Sequence, residues 1–226
     1  MKTVAFCEID PFCRKVLAKH WPEVPIYEDI RTLSADVLER DGIAVDLICG
    51  GFPCQDISNA GNQEGLDGER SGLWFEYARL IGELRPSFVL VENVRALLHR
   101  GMDEVLGSLS TLGYDAWWET ISARAIGLPH ERERIWIVAH TSEVGWEARA
   151  RVKAALLGEK MPWTPWQQME LRRARSGGTR WIPNGVVCTV DDGLSPLLDG
   201  LGAAGNAVVP QVVELIGKAI MQVHYD

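Results

Sequence analysis

Short runs of β-forming, mainly apolar residues alternate with segments of helical periodicity over residues 3–140. The runs at 45–49 (VDLIC) and 88–91 (FVLV) are typical of strands buried on both faces of a parallel sheet. Between them, residues 73–84 carry large apolar side chains at i, i+3 and i+4, which predicts an amphipathic helix. The whole pattern predicts strands at 3–9, 45–49, 88–91 and 135–139, and helices at 11–20, 35–40, 73–84, 102–112 and 211–224. This alternation indicates an α/β fold with a doubly wound, mostly parallel sheet.

Capping residues support two of the helix starts. Asp10 stands before Pro11, which would be a proline at the first helical position. Ser34 stands before the helix at 35–40, and Gly42 is placed to stop that helix.

The alternation stops near Thr141 and divides the chain into parts 1–140, 141–192 and 193–226. Residues 141–185 contain eight Lys or Arg and four Glu, so this segment carries +4 within a chain of net charge −8. It also contains four of the nine tryptophans. Basic residues interleaved with aromatic residues suit phosphate contact and base stacking. A solvated loop held by a few tryptophan side chains is the alternative.

Composition excludes several classes of protein. Of the 226 residues, 46% are hydrophobic and 24% are charged, which excludes disorder, collagen and coiled coil. No apolar run approaches the length of a membrane span, and residues 1–30 lack the pattern of a signal peptide, so we expect neither. The five cysteines form no CxxC pair, which argues against a disulfide framework and a zinc site. We expect a cytoplasmic protein without a metal.

Polar side chains follow three predicted strands at their carboxyl ends, where open parallel sheets bind ligands. Glu8 ends the first strand, the loop 50–55 follows the second, and Glu92 follows the third. Cys54 lies in that loop after Gly-Gly-Phe-Pro, where a core residue is not expected, and is a candidate nucleophile. Glu92 follows FVLV directly, so we expect burial to raise its pKa and let it hold a proton near neutral pH.

A pair of arginines precedes the strand at 135–139. Arg132 and Arg134 alternate along an extended segment and therefore share a face, with Glu131 and Glu133 on the other. Two guanidinium groups on one face suit an anionic or carbonyl-rich ligand. An edge strand carrying alternating charges is the alternative.

Four motifs occur in order along the chain: GGFPCQ at 50–55, ENV at 92–94, HxRxR at 130–134 and GNAVVP at 205–210. Together they resemble the cytosine-5 DNA methyltransferases, particularly the short phage and bacterial forms. The resemblance covers nearly the whole chain except the variable segment after Thr141. It implies a Rossmann-like methyltransferase fold built from 1–140 and 193–226, with 141–192 as a small target-recognition insert.

The resemblance implies a role for each matching catalytic residue. Cys54 would attack C6 of a cytosine rotated out of duplex DNA, and Glu92 would bind the N3 and amino edge of that base. Arg134, with Arg132 beside it, would help to hold the base and the catalytic loop. C5 would then take a methyl group from S-adenosylmethionine, and loss of a proton and of the thiolate would release 5-methylcytosine.

The resemblance also implies two binding surfaces. The residues expected to bind the cofactor are Glu8, Ile9, Asp29, Ile30, Pro53 and Asn206. The residues expected to bind DNA are Gln55, Ser58, Arg70, Arg172, Arg173 and Arg175. The expected partners are double-stranded DNA and, in a restriction–modification pair, a cognate restriction endonuclease.

The chain departs from the family pattern in three places. The family opens with a strand and a glycine-rich turn (DLFxGxGG) that holds the methionine part of the cofactor. This chain begins at the equivalent of the second strand, and we expect a truncated or misassigned start to explain it. His130 stands where glutamine is usual, and Ala60 stands where serine is frequent.

Three alternatives stay open at this point. A relative that methylates a cytosine in tRNA would carry the same motifs, as would an inactive, N-terminally truncated fragment that binds DNA. Thymidylate-synthase-like chemistry also uses a cysteine after a proline, but it gives no reason for ENV or HxRxR.

Overall fold

The computed structural model describes residues 1–53, 72–126, 132–141, 169–173, 179–183 and 208–225. Its strands are β1 (Phe6–Cys7), β2 (Ile26–Tyr27), β3 (Leu47–Gly51), β4 (Phe88–Val94), β5 (Tyr114–Ser122), β6 (Glu133–Thr141), β7 (Met169–Arg173) and β8 (Thr179–Pro183). Its α-helices are α1 (Pro11–His20), α2 (Ala35–Arg40), α3 (Leu73–Leu84), α4 (Met102–Thr111) and α5 (Pro210–Tyr225), with 3₁₀ turns at Arg95–His99 and Ala123–Ile126. The α/β class predicted from the sequence is confirmed.

Local side-chain chemistry sets the starts of the first two helices. Asp10 Oδ1 accepts a hydrogen bond from Phe12 N at 2.7 Å, and Pro11 is the first residue of α1. Ser34 Oγ accepts one from Val37 N at 3.4 Å at the start of α2. Both predicted caps are confirmed.

The central sheet has four strands in the order β3-β4-β6-β5. β3 pairs with β4 in parallel, whereas β6 runs antiparallel to both β4 and β5. β1 and β2 form a separate parallel pair. The predicted parallel pairing thus holds for β1–β2 and for β3–β4. The other half of the sheet is antiparallel because the described chain from β5 to β6 contains only a 3₁₀ turn, and such a connection reverses the strand direction.

The hydrophobic core lies on both faces of β4 and β6. Val89 and Val91 of β4 pack on one face with α3 and α4, and Phe88 and Leu90 pack on the other face with α5. β6 alternates in the same way between the two clusters. Full burial of a side chain of this size contributes about 1.5–3 kcal/mol, so β4 and β6 both contribute strongly to the stability of the core. Helices on both faces make the sheet doubly wound.

β3 differs from the strand that the sequence predicts there. The prediction places a strand at 45–49 with both faces buried, but β3 spans Leu47–Gly51 and exposes Cys49 and the two glycines that follow it. β3 is exposed because it lies at the edge of the sheet and, within the described residues, pairs with a strand on one side only. β1 is also shorter than predicted and covers two of the residues 3–9.

Candidate active site

A buried ion pair joins the two central strands at the end of β4. Glu92 follows the apolar residues of β4, and Arg134 is the second residue of β6. Arg134 Nε lies 3.1 Å from Glu92 Oε1, and only 22% and 15% of the two side chains are exposed. The antiparallel register places Arg134 opposite Val94, two residues beyond Glu92. Two residues predicted for the site are therefore in contact.

Burial raises the pKa of the Glu92 carboxyl group above its usual value, as the sequence predicts. The positive charges of Arg134 and Arg132 oppose this shift without cancelling it. Glu92 Oε1 is buried, and the described residues give it no well-aligned hydrogen bond. A carboxyl group with these properties can hold a proton and bind the polar edge of a ligand.

The backbone of β3 passes directly against this carboxyl group at Gly51. A Cβ atom at Gly51 would lie 2.9 Å from Glu92 O and 3.2 Å from Glu92 Oε2. Real Cβ atoms essentially never approach a backbone oxygen so closely. Glycine at this position therefore lets the loop after β3 start beside the Glu92 side chain.

A buried asparagine ties the start of that loop to β4. Asn93, with 2% of its surface exposed, donates from Nδ2 to Phe52 O at 3.3 Å and accepts from Val94 N at 2.8 Å. The ring of Phe52 is itself buried and packs on Trp74, with 5.5 Å between ring centroids. Pro53 follows at once, so the backbone is fixed up to the residue before Cys54. Sequence reasoning assigns Asn93 no role, although its place directly after Glu92 puts it on the opposite face of the strand.

Four of the residues expected to bind the cofactor follow the strands of the separate β1–β2 sheet. Glu8 Oε1 accepts a hydrogen bond at 2.8 Å from the backbone two residues later, and the neighbouring Ile9 is 59% exposed. Hydrogen bonds from Arg31 to the carboxylate of Asp29 lower its pKa. Ile30 is partly buried against the core clusters, so its side chain packs within the fold.

Several predicted site residues lie outside the described ranges. They are Cys54, Gln55, Ser58, Arg70, Arg175 and Asn206. Arg172 and Arg173 lie in β7, which pairs antiparallel with β8 and places Arg172 opposite Arg180. Arg132 comes directly before β6, where its backbone oxygen accepts a hydrogen bond from Ala123 N at 3.0 Å. Of the predicted catalytic set, the structure thus brings together Glu92, Arg134 and Arg132.

The described residues lack two further features, a metal-binding group and a membrane-spanning helix. They contain no group of three or more His, Cys, Asp or Glu side chains that could hold a metal ion. Among the helices of that same part of the chain, none is both long and apolar enough to cross a membrane.

Comparison with known proteins gives a family match over most of the chain. The family model for C-5 cytosine-specific DNA methylase matches residues 1–172. The Type II methyltransferase M2.BsuMI of Bacillus subtilis (strain 168) is 40% identical over 149 residues, covering 62% of this chain and 37% of that protein. The Type II methyltransferase M.DsaV of Dactylococcopsis salina is 38% identical over 143 residues, covering 61% of this chain and 39% of that protein. The chain thus spans less than two fifths of the length of these curated relatives.

Solved methyltransferase structures share the fold. The S. pombe Dnmt2 methyltransferase superposes with a TM-score of 0.53 at 18% identity, over 77% of this chain and 57% of that chain. The Entamoeba histolytica methyltransferase EhMeth gives a TM-score of 0.52 at 19% identity, over 60% of this chain and 44% of that chain. These likenesses confirm the Rossmann-like methyltransferase fold. Because the family model matches residues 1–172, we conclude that this chain belongs to the C-5 cytosine-specific DNA methylase family.

Proposed function

We propose that this chain catalyses methyl transfer from S-adenosylmethionine to C5 of a cytosine rotated out of duplex DNA. The observation that carries the proposal is the buried Glu92 carboxyl group, held beside Arg134 at the carboxyl end of β4. It lies against Gly51, three residues before Cys54. In this proposal, 1–140 and 193–226 form the catalytic domain and 141–192 recognises the target sequence.

Glu92 binds and activates the base. Its raised pKa favours the protonated carboxyl group, which donates to cytosine N3 while the other carboxyl oxygen accepts from the 4-amino group. A hydrogen bond to N3 draws electron density from the ring and makes C6 more electrophilic. Arg134 fixes the orientation of the carboxyl group, and Arg132 adds positive charge beside it.

Cys54 is the nucleophile in the proposed reaction. Its thiolate adds to C6, and the electron pair of the C5–C6 double bond moves to C5, which becomes nucleophilic. After C5 has gained a methyl group, it loses its proton, the double bond reforms and the thiolate leaves. The hydrogen bond from Asn93 to Phe52 O holds the segment that positions Cys54.

The residues beside β1 fit a nucleoside by their chemistry. The Glu8 carboxylate can accept hydrogen bonds from ribose hydroxyls, and the exposed Ile9 offers an apolar surface to adenine. Asp29, Ile30, Pro53 and Asn206 complete the proposed set. When bound, S-adenosylmethionine supplies the methyl group as an electrophile.

The proposed DNA contacts lie in the loop after Cys54 and in the basic segment. They involve Gln55, Ser58, Arg70, Arg172, Arg173 and Arg175. Rotating a base out of the duplex costs about a few kcal/mol, which contacts to the phosphates and the flipped base must offset. In a cell the protein would act in the cytoplasm, and a cognate restriction endonuclease would be its functional partner.

The test measures labelled methyl groups transferred from S-adenosylmethionine to unmethylated bacterial DNA. We expect transfer by the unchanged chain, none by Cys54→Ala, and unchanged transfer by the matched control Cys13→Ala. Circular dichroism must show that all three are folded. Transfer by Cys54→Ala would exclude this residue as the nucleophile. A folded chain that transfers nothing would refute the proposed activity.

A further inference from the structure

One row of paired residues crosses all four strands of the central sheet at Glu92. Gly51 of β3 pairs with Glu92, and Glu92 pairs with Trp136 of β6. On the far side, Trp136 pairs with Glu119 of β5. Directly opposite residues of an antiparallel pair share one face of the sheet, with Cβ atoms about 4.5–5.5 Å apart. Glu92 therefore has a large aromatic neighbour on one flank and a residue without a side chain on the other.

The two carboxyl oxygens of Glu92 point away from the middle of β6. Oε1 lies 3.1 Å from Arg134 Nε, at the start of that strand. Oε2 lies 3.2 Å from the position that a Cβ atom of Gly51 would take. The carboxyl group thus extends towards β3, on the side where the loop carrying Cys54 begins. A ligand that binds this group beside Cys54 would approach it from the flank of Gly51.

Trp136 occupies the other flank with apolar volume. Its side chain is 3% exposed and belongs to the same hydrophobic cluster as Leu90 and Val138. Leu90 precedes Glu92 by two residues on the same face of β4, so the ring and this cluster lie directly beside the carboxylate-bearing side chain. The indole N–H of Trp136 has no hydrogen-bond partner among the described residues. The ring therefore acts here through its size and not through a hydrogen bond.

Burial is the largest influence on the pKa of Glu92, and it raises this pKa against the two arginines. Glu119 lies beyond Trp136, and its Oε1 accepts a hydrogen bond from its own strand, from Thr120 N at 3.2 Å. On α5, Glu214 and Lys218 are exposed and pair with each other at 2.8 Å. The titratable and charged side chains on this face of the sheet and beside it include Cys49, Asp115, Glu119, Arg132, Arg134 and His140. Of these, the two arginines are the ones that influence the pKa of Glu92.

We propose that Trp136 is a positioning residue for Glu92, whose carboxyl group it shields from water and holds towards Gly51, where the edge of the cytosine would bind. This inference rests on the proposed methyl transfer and adds a residue to it. A smaller side chain at this position would open space on the β6 flank. The carboxyl group could then turn away from β3, and water could reach it because the enlarged space is lined by a polar group.

The first test follows the ionisation of Glu92 by NMR of ¹³C-labelled glutamate carboxyl groups, assigned with Glu92→Gln. Trp136→Leu should lower the pKa of Glu92 towards its ordinary value, because access of water favours the charged form. Trp136→Phe should keep the pKa close to that of the unchanged chain, because an aromatic ring remains and the lost N–H makes no hydrogen bond to the described residues. Circular dichroism must show that the variants are folded.

Trp117→Leu is the matched control. Trp117 is 6% exposed, belongs to the same cluster, and also has an indole N–H without a partner in the described part of the chain. It lies on β5 and pairs with Val138, so it is not a direct neighbour of Glu92. The control should lose a similar amount of packing without a change in the pKa of Glu92. If Trp136→Leu does not fold, Trp136→Met takes its place, because methionine fills irregular space more adaptably, and the shift should have the same direction.

The second test measures methyl transfer as a function of pH. Trp136→Leu should lower kcat by at least about tenfold, because Glu92 would be protonated less often and held less well. The fall of kcat with rising pH should also move to lower pH, since deprotonation of Glu92 sets this limb. A merely structural role would reduce the amount of folded enzyme and leave the pH profile in place. Trp117→Leu should keep the profile of the unchanged chain.

Three results would overturn the role of Trp136. The first is an unchanged pKa of Glu92 in the folded leucine or methionine variant. The second is an equal shift in Trp117→Leu, which would indicate general loosening of the core. The third is a Trp136→Phe variant that behaves like Trp136→Leu. Because the NMR titration needs neither DNA nor S-adenosylmethionine, a chain without methyl transfer would refute the proposed function and leave this readout intact.

Discussion

Replacing Arg134 by methionine removes the cation that faces Glu92 while keeping much of the side-chain volume. Arg134 Nε lies 3.1 Å from Glu92 Oε1, and the Glu92 side chain is 15% exposed. The carboxylate would then stay buried with less compensating charge. Removing one partner of a buried ion pair costs about 3–5 kcal/mol, and the remaining charge of Arg132 should reduce this to about 2–3 kcal/mol at pH 8.

The loss in free energy of unfolding caused by Arg134→Met should increase as the pH rises. Burial already raises the pKa of folded Glu92, and loss of Arg134 should raise it further because Arg134 lowers it. A carboxyl group with a higher pKa in the folded state binds more protons when folded, so the free energy of unfolding falls as pH rises between the unfolded and folded values. The deficit of Arg134→Met should therefore be fully present above the folded pKa of Glu92. It should shrink as the pH falls below that pKa, because the carboxyl group of the folded protein is then protonated.

The measurement is urea unfolding followed by tryptophan fluorescence at several pH values. The matched control is Arg95→Met, because Arg95 Nη1 lies at the same 3.1 Å from Glu133 Oε2 but the side chains are 63% and 40% exposed. Such a surface pair should contribute less than about 1 kcal/mol. Adding Glu92→Gln to Arg134→Met should restore most of the lost stability, and the double-mutant cycle isolates the pairwise contribution. Equal losses in both arginine variants, or a deficit that does not shrink as the pH is lowered, would refute the reasoning.

Three further predictions concern the loop, the glycine beside Glu92 and the DNA contacts. Gly51→Ala should destabilise the fold by about 1–3 kcal/mol, because its Cβ would lie 2.9 Å from a backbone oxygen of Glu92. In the control Gly107→Ala in α4, the new Cβ atom would meet no atom within 4 Å. This variant should be more stable than the unchanged chain by about 0.5–1 kcal/mol, and its melting temperature should rise. Asn93→Ala removes the hydrogen bond to Phe52 O, which should cost about 1–3 kcal/mol and lower kcat rather than raise KM. A change in KM alone would contradict a positioning role. Replacing the three predicted DNA-binding arginines of the basic segment by glutamine should reduce the slope of log K against log salt by about 3, whereas an unchanged slope would indicate a solvated loop.

The elements that local chemistry specifies were predictable from the sequence. β4 follows from a run of apolar residues, and α1 follows from Asp10 and Pro11 at its start. β2 has only two residues, too few for a periodicity. β5, which lies at an edge of the sheet within the described part of the chain, mixes polar and apolar residues without clear alternation. The exposure of β3 was not predictable either, because it depends on which strands pair with β3, and within the described residues only β4 does.

The site shows the same division between local and long-range information. Glu92 is recognisable because it ends an apolar strand, and Arg134 because it alternates with Arg132 before another strand. In a fully parallel sheet, however, the first residues of β6 would lie beside the amino end of β4, a whole strand length away from the carboxyl end of β4. The ion pair exists because β6 runs antiparallel, so the first residues of β6 meet the last residues of β4. Reversal of one strand is therefore what places the arginine beside the buried carboxyl group, and only long-range pairing could reveal it.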